Sequence, residues 1–332
     1  MSSLRGGIIG LGQMGRNHAR VYRSLPDVDL VVLADSEKIP EEVSLGIATV
    51  SSAEEMLEHQ IDFCIVATPT ISHEEIGVLM AEAGVHTLIE KPISESLDGA
   101  KRLIAAFEKA QAIGCVGHIE RFNPAVQSMR ERISNGDLGS IFQISTRRQG
   151  PFVSRVRDVG VIKDLGTHDF DLSLWLVGEP VVGVSARTAL RMGREYEDLA
   201  AITSEFDNSV VGNHLVNWIS PFKERIVQVT GEKGSFVADM ITADLTFWSN
   251  GYMKSEWETL KHSRGVVEGD VVRYAISKTE PLVEEAESFI DAILGRSNKI
   301  ASLQEGLTVL QIAEACLESA KTGQTVVIPE EI

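Results

Sequence analysis

Three cysteines in 332 residues are too few for a disulfide framework. They stand far apart, at Cys64, Cys115 and Cys316, and Cys64 lies inside the apolar run Phe63-Cys64-Ile65-Val66, which reads as a buried strand. No CxxC, HExxH or histidine-rich cluster offers metal-ligand spacing, so the expected chemistry is metal-free. Cations are also short, with 31 Lys and Arg against 48 Asp and Glu and a formal charge of −17. A nucleic acid or an anionic membrane needs a cationic surface in its partner, so neither is expected, and any phosphate ligand must meet a local positive site. No run reaches the roughly 18 apolar residues of a membrane span. The residues around Arg5 pass into an apolar strand without a long apolar core or a small-residue cleavage site, which makes a soluble cytoplasmic protein the expectation. There is no internal repeat and no low-complexity linker.

What is present is an ordinary globular balance, 43% hydrophobic and 24% charged, in a chain long enough for two cores. The first 120 or so residues alternate short β-branched runs with helical patterns, the signature of βαβ units on a parallel sheet. Strands are expected at 7–9, 30–34, 63–67, 86–89 and 113–116, with helices near 14–24, 52–58, 73–83 and 96–111. After a further helix ending near Asn135 the pattern changes to longer strands of alternating polarity, at 141–147, 181–189, 200–206 and 210–217, where a mixed or antiparallel sheet is the natural reading. A helix is expected over 165–176, then helices at 281–294 and 303–322 and a short strand at 325–328. The fold class is therefore α/β, a doubly wound parallel sheet of Rossmann type followed by an α+β domain with an open, mostly antiparallel sheet. The division expected is 1–121 for the first domain and 122–332 for the second, whose C-terminal helices are free to pack back on the first.

Gly10-Leu11-Gly12-Gln13-Met14-Gly15 is a GxGxxG set directly after an apolar strand and at the start of a helix, the context that gives this motif its meaning. The first glycine permits a tight turn, the second lets backbone approach a pyrophosphate, and the third allows close helix–strand packing, while the helix N-terminus offers amide donors and a partial positive charge. Asp35 ends the second strand at the spacing of the acidic residue that binds a ribose 2′-hydroxyl. A 2′-phosphate is repelled there, so the expected cofactor is NAD. Thr68 and Pro69, after the third expected strand, lie where a cofactor edge runs. His73, a few residues on, either joins them or caps the next helix.

Two further segments carry chemistry. Glu90-Lys91-Pro92 follows the fourth strand, and Asp164-Leu165-Gly166-Thr167-His168-Asp169-Phe170-Asp171 opens the helix over 165–176. Together with the glycine loop they resemble the EKP and DxGxHxxD motifs of the Gfo/Idh/MocA oxidoreductases, and the resemblance covers essentially the whole chain. It implies that Lys91 lies beside the nicotinamide and the substrate hydroxyl, that Glu90 and Pro92 shape the pocket, and that His168 is a second catalytic residue. An amine partly desolvated beside a nicotinamide holds its proton less tightly, which suits proton transfer. Asp164, at i, i+4 spacing from His168, would orient the imidazole. Asp171 reads as a structural cap or ion-pair residue. Lys163 stands where the family usually has an apolar or small residue.

Gly117-His118-Ile119-Glu120-Arg121-Phe122-Asn123-Pro124 and Arg155-Val156-Arg157-Asp158-Val159-Gly160-Val161 look similar to the UDP-N-acetylglucosamine 3-dehydrogenase branch of that family. A nucleotide-sugar diphosphate needs cationic donors, and Arg155 and Arg157, with Arg121 nearer the sugar, are the candidates. Asn123 either bonds a sugar hydroxyl or caps the helix that follows. The resemblance implies oxidation of the sugar C3 hydroxyl in a homodimer or homotetramer. A dehydrogenase of free polyols such as inositol, and a non-catalytic NAD sensor, remain the alternatives.

Overall fold

The computed structural model of the chain describes residues 3–152, 159–251 and 267–329. In chain order its elements begin β1 (Leu4–Ile9), α1 (Gln13–Tyr22), β2 (Val28–Ala34), α2 (Glu41–Ser44), β3 (Ala48–Val50), α3 (Ala53–Leu57), β4 (Phe63–Val66), α4 (His73–Glu82), β5 (His86–Glu90), α5 (Leu97–Ala110) and β6 (Gly114–Gly117). They continue α6 (Pro124–Ser134), β7 (Ile141–Pro151), α7 (Thr167–Val177), β8 (Val181–Ala189), β9 (Leu199–Phe206), β10 (Val211–Asn217), β11 (Ile219–Gly231), β12 (Gly234–Asp239), β13 (Asp244–Gly251) and β14 (Val267–Arg273). The chain closes with α8 (Pro281–Ile293), β15 (Ala301–Ser302), α9 (Leu303–Thr322) and β16 (Val326–Val327). Two compact units result, Met1–Phe122 with Glu280–Gln311, and Asn123–Thr279 with Ile312–Ile332.

The first unit is built on a sheet of order β15-β6-β5-β4-β1-β2-β3, parallel throughout except for the two-residue β15, which pairs antiparallel with β6. Both faces are covered, which is why β4 reads as an unbroken apolar run rather than an alternation. Successive side chains go to opposite faces. Ile8, Leu33, Phe63, Ile65 and Leu88 pack with Tyr22 of α1 and Phe289 and Ile290 of α8. Ile9, Val32, Cys64, Val66 and Ile89 pack with Met80 of α4, Leu103 and Phe107 of α5, and Leu307 and Leu310 of α9. Helices α3 and α5 fall one residue inside their expected ranges at each end because the flanking residues lie outside the helix: in α5 the Ser96 hydroxyl accepts the Gly99 N–H at 3.1 Å, and Gln111 closes the helix in the left-handed region at φ 54°. The edge strands β3 and β15 were not expected from the sequence, being too short to show any periodicity.

In the second unit a nine-stranded sheet runs β14-β13-β12-β11-β7-β10-β9-β8-β16. Every pair is antiparallel except β7 with β10. In β9, Ala200, Ile202, Ser204 and Phe206 are buried while Ala201, Thr203 and Glu205 are exposed, the half-buried alternation of a sheet with one solvated face. Helix α7 packs on the covered face, where Phe170 stands edge-on to His214 of β10 at 5.5 Å. Among the described residues no helix is long and apolar enough to cross a membrane.

Candidate active site

The glycine loop joins β1 to α1, and each of its three glycines meets a different constraint. Gly10 has φ +88°, and a Cβ there would stand 2.6 Å from the backbone of Ala67 and Thr68. At Gly15 a Cβ would collide with the Gly10 carbonyl at 1.8 Å, so this glycine lets α1 close on the strand. Apart from its chain neighbours, Gly12 has nothing among the described residues within 4 Å of the Cβ position, leaving open space in front of the helix N-terminus. No acidic residue occupies the first turn of α1 and no side chain caps it. Its amides are therefore left for an anion, with Leu11, Gln13 and Met14 completing the loop.

Asp35 follows β2 directly. Its Oδ2 accepts the Leu11 N–H at 2.5 Å and its Oδ1 the Glu37 N–H at 2.9 Å, so the carboxylate is locked against the glycine loop. The Thr68 hydroxyl, beyond the end of β4, is buried with no hydrogen-bond partner among the described residues, and Pro69 beside it is exposed. Open space at Gly12, a fixed carboxylate at the end of β2 and an unspent hydroxyl at the end of β4 fit a dinucleotide laid across the carboxyl ends of the strands.

His73 has a different task from the one expected. It is buried, with Nδ1 2.9 Å from the Pro92 carbonyl and Nε2 3.0 Å from the Thr68 carbonyl, so both ring nitrogens are turned to the protein. Burial pulls its imidazole below the usual histidine value against the two carbonyls, which favour the charged ring. The neutral ring donates to one of them. Glu90, the last residue of β5, is buried with Oε1 2.8 Å from His18 Nε2 on α1, and its Oε2 accepts the Lys91 N–H at 3.3 Å. Burial works to push this carboxyl up, but the His18 hydrogen bond, with the nearby charge of Lys91, outweighs it and holds the group below the usual carboxylate range. Lys91 is half-buried at the head of the turn that follows. Sequence reading missed His18; the signal available was helical spacing, since Gly15, His18, Ala19 and Tyr22 form the buried stripe of α1.

In the second unit the segment expected to be plain helix begins with a π-helical turn at Ile162–Gly166 before α7 starts at Thr167. Such turns concentrate at functional sites. Asp164 is buried within it, and His168 is half-buried in the first turn of α7. The next residue, Asp169, takes the Arg148 Nε–H at 2.8 Å in an ion pair whose side chains are 2% and 0% exposed. That pair anchors the helix end carrying His168 to β7. Period two in β7 places Arg148 in phase with the buried Ile144 and Thr146, which is the one sign of its burial in the local sequence. Asp171 is fully buried. The Lys163 ammonium meets Glu314 Oε1 at 2.6 Å, so this departure from the family pattern has its own counter-ion.

Two candidate substrate residues have partners within the fold. Asn123 is the N-cap of α6: its Oδ1 accepts the Ala125 N–H at 3.1 Å and its Nδ2 donates to the Met240 carbonyl at 2.9 Å, so both ends of the amide hold the fold. Arg121 is 4% exposed and donates to Glu305 Oε1 at 2.8 Å, so one of its guanidinium nitrogens is held by α9. Arg155 and Arg157 lie outside the described residues.

Residues 4–118 match the family described as "Oxidoreductase family, NAD-binding Rossmann fold", and residues 130–328 match "Oxidoreductase family, C-terminal alpha/beta domain", the two domains of Gfo/Idh/MocA proteins. A UDP-N-acetylglucosamine 3-dehydrogenase of Acidithiobacillus ferrooxidans is 28% identical over 298 residues, covering 88% of this chain and 90% of the relative. An inositol 2-dehydrogenase of Rhizobium meliloti is 26% identical over 337 residues, covering 96% and 97%. The solved structure of the UDP-N-acetylglucosamine 3-dehydrogenase GnnA from Acidithiobacillus ferrooxidans superposes with a TM-score of 0.84 at 26% identity, over 97% of this chain and 99% of that one.

Proposed function

The chain belongs to the Gfo/Idh/MocA oxidoreductase family, with an NAD-binding Rossmann domain, and we propose that it oxidises the C3 hydroxyl of UDP-N-acetylglucosamine to the ketone. The observation that carries the reading is the order of loops along one sheet edge. Asp35 follows β2, the glycine loop follows β1, Thr68 follows β4 and Lys91 follows β5, and these strands are neighbours in the order β5-β4-β1-β2. A dinucleotide with its adenosine ribose at Asp35 and its pyrophosphate at Gly12 runs toward Lys91 with its other end.

Hydride acceptance is the chemistry that NAD supplies when bound. As the sugar C–H bond gives up its electron pair, the hydroxyl proton passes to Lys91 or His168, the two proton-transfer groups. Asp164 orients His168. Glu90 and Pro92, each held by a histidine, fix the backbone on both sides of Lys91. Arg155 and Arg157 are assigned to the diphosphate, on the strength of their sequence context and the named relative. We further read the protein as a cytoplasmic homodimer or homotetramer. Exposed Phe142, Val211, Trp248 and Val271 on strands of the second sheet support the oligomer, and sedimentation velocity tests it.

The test is NADH absorbance on mixing protein, NAD and a panel of UDP-sugars and free polyols. Signal with UDP-N-acetylglucosamine upholds the reading. The inositol dehydrogenase relative favours a second one, a free polyol as substrate, and signal with inositol but with no nucleotide sugar moves the assignment there. Silence with the whole panel removes both and leaves a cofactor sensor.

A further inference from the structure

The first unit buries a cluster of titratable side chains behind the Glu90-Lys91-Pro92 turn that the chemistry above does not spend. His18, on the helix that opens at Gly12, is 1% exposed and reaches Glu90 Oε1 at 2.8 Å. The second carboxylate oxygen takes the Lys91 amide. On the neighbouring β6, Gly117 leaves the room this needs, since a Cβ there would stand 3.3 Å from the Glu90 carboxylate. From α4, His73 holds the carbonyl of Pro92. The turn is therefore gripped by imidazoles from two helices, one acting on the residue before the lysine and one on the residue after it.

We infer that His18 is a positioning residue for Lys91: by clamping the Glu90 carboxylate against the Lys91 amide, it ties the first helix of the dinucleotide motif to the turn that carries the proton-transfer amine. The inference rests on the reading of Lys91 given above. Its physical content is pre-organisation, because a reacting group on a surface turn must otherwise be ordered at each turnover. The groups facing the Glu90 carboxylate or its immediate neighbours are His18 and Tyr22 from α1, His73 from α4, Cys115 from β6, Glu285 from α8 and Lys91 from its own turn. Burial acts to protonate Glu90, and the His18 contact is the largest influence opposing it. Without that imidazole the carboxyl rises, so Glu90 gains its proton at a higher pH and the clamp is lost from the acid side.

The experiment compares wild type, His18→Leu and His18→Gln. Glutamine keeps a donor near the Nε2 position but carries no charge. Steady-state kinetics across pH, NADH affinity by fluorescence and hydrogen exchange of the Lys91 amide by NMR are the readouts. His18→Leu is expected to lose about tenfold to a hundredfold in kcat with NADH affinity nearly unchanged, and to exchange the Lys91 amide faster. His18→Gln is expected to recover most of kcat and of the exchange protection at alkaline pH, while its acid limb stays at higher pH than that of wild type. Wild-type kcat, acid limb and exchange in both variants overturn the inference. So does a parallel fall of kcat, NADH affinity and melting temperature that glutamine does not rescue. Should the leucine variant not fold, an unmoved acid limb in His18→Gln overturns it alone. Should no sugar be turned over, the substrate reading falls but the exchange data still decide, and unchanged protection of Lys91 in His18→Gln and His18→Leu sinks the clamp.

Discussion

Replacing Gly12 with alanine separates cofactor geometry from folding. The residue sits at φ −64° in extended backbone, which any L-residue adopts, and apart from its chain neighbours no atom of the described residues lies within 4 Å of the added methyl. Folding stability should therefore hold, or rise by up to about 1 kcal/mol because the unfolded chain loses freedom. The methyl instead occupies the space through which a pyrophosphate approaches the α1 amides. Overpacking of about 1–3 kcal/mol corresponds to a loss in NADH affinity of about fivefold to 150-fold. The contrast is Gly15→Ala, whose Cβ would meet the Gly10 carbonyl at 1.8 Å, so stability falls along with binding. Urea unfolding reads the first quantity and NADH fluorescence the second. A Gly12→Ala protein that binds NADH as wild type does, or a Gly15→Ala protein of undiminished stability, refutes the division of labour among the three glycines.

Asp35→Ala should narrow the preference for NADH over NADPH at least about tenfold, since it removes both the ribose acceptor and the charge that repels a 2′-phosphate; equal preference ratios in paired titrations count against its role. Lys91→Met and His168→Asn should each retain NADH binding while turnover drops about a hundredfold or more, and unchanged turnover in either removes that residue from proton transfer. Stability should also depend on pH through His214, whose ring lies between the hydroxyls of Thr146 and Ser204 and is pulled down to about 4 by burial. Because the unfolded chain takes up the proton first, this stability is present above the ordinary histidine value and is lost as the pH falls toward 4, about 2 kcal/mol of it between pH 7 and pH 5. Urea titrations of His214→Gln should lack that component, and identical pH slopes in the two proteins would rule it out.

Much of the fold was legible because its determinants are local. The glycine loop, the doubly buried run Phe63-Cys64-Ile65-Val66 and the alternation in β9 each follow from the spacing of neighbours along the chain. The same holds for the placement of Asp35 and Lys91, since a residue at the carboxyl end of a strand in a doubly wound sheet is already at the ligand edge.

Roles set by partners distant in sequence were not legible. Asn123 read as a sugar ligand or a cap until Met240 took the other end of its amide, the ion pair of Arg121 with Glu305 was not foreseen, and His73 read as a cofactor or cap residue until its ring met the carbonyls of Thr68 and Pro92. Nor does any pattern within α1 reveal that His18 finds Glu90, or pattern within β7 that Arg148 finds Asp169. The placing of α8 against Tyr22 and Phe63 is of the same kind. Periodicity and turn chemistry are properties of consecutive residues, so the sequence alone determined the longer strands and their buried faces, the dinucleotide loop and which residues stand at the strand ends. A buried polar group must be paired wherever folding brings a complement within reach, and only the tertiary structure decided which complement that was.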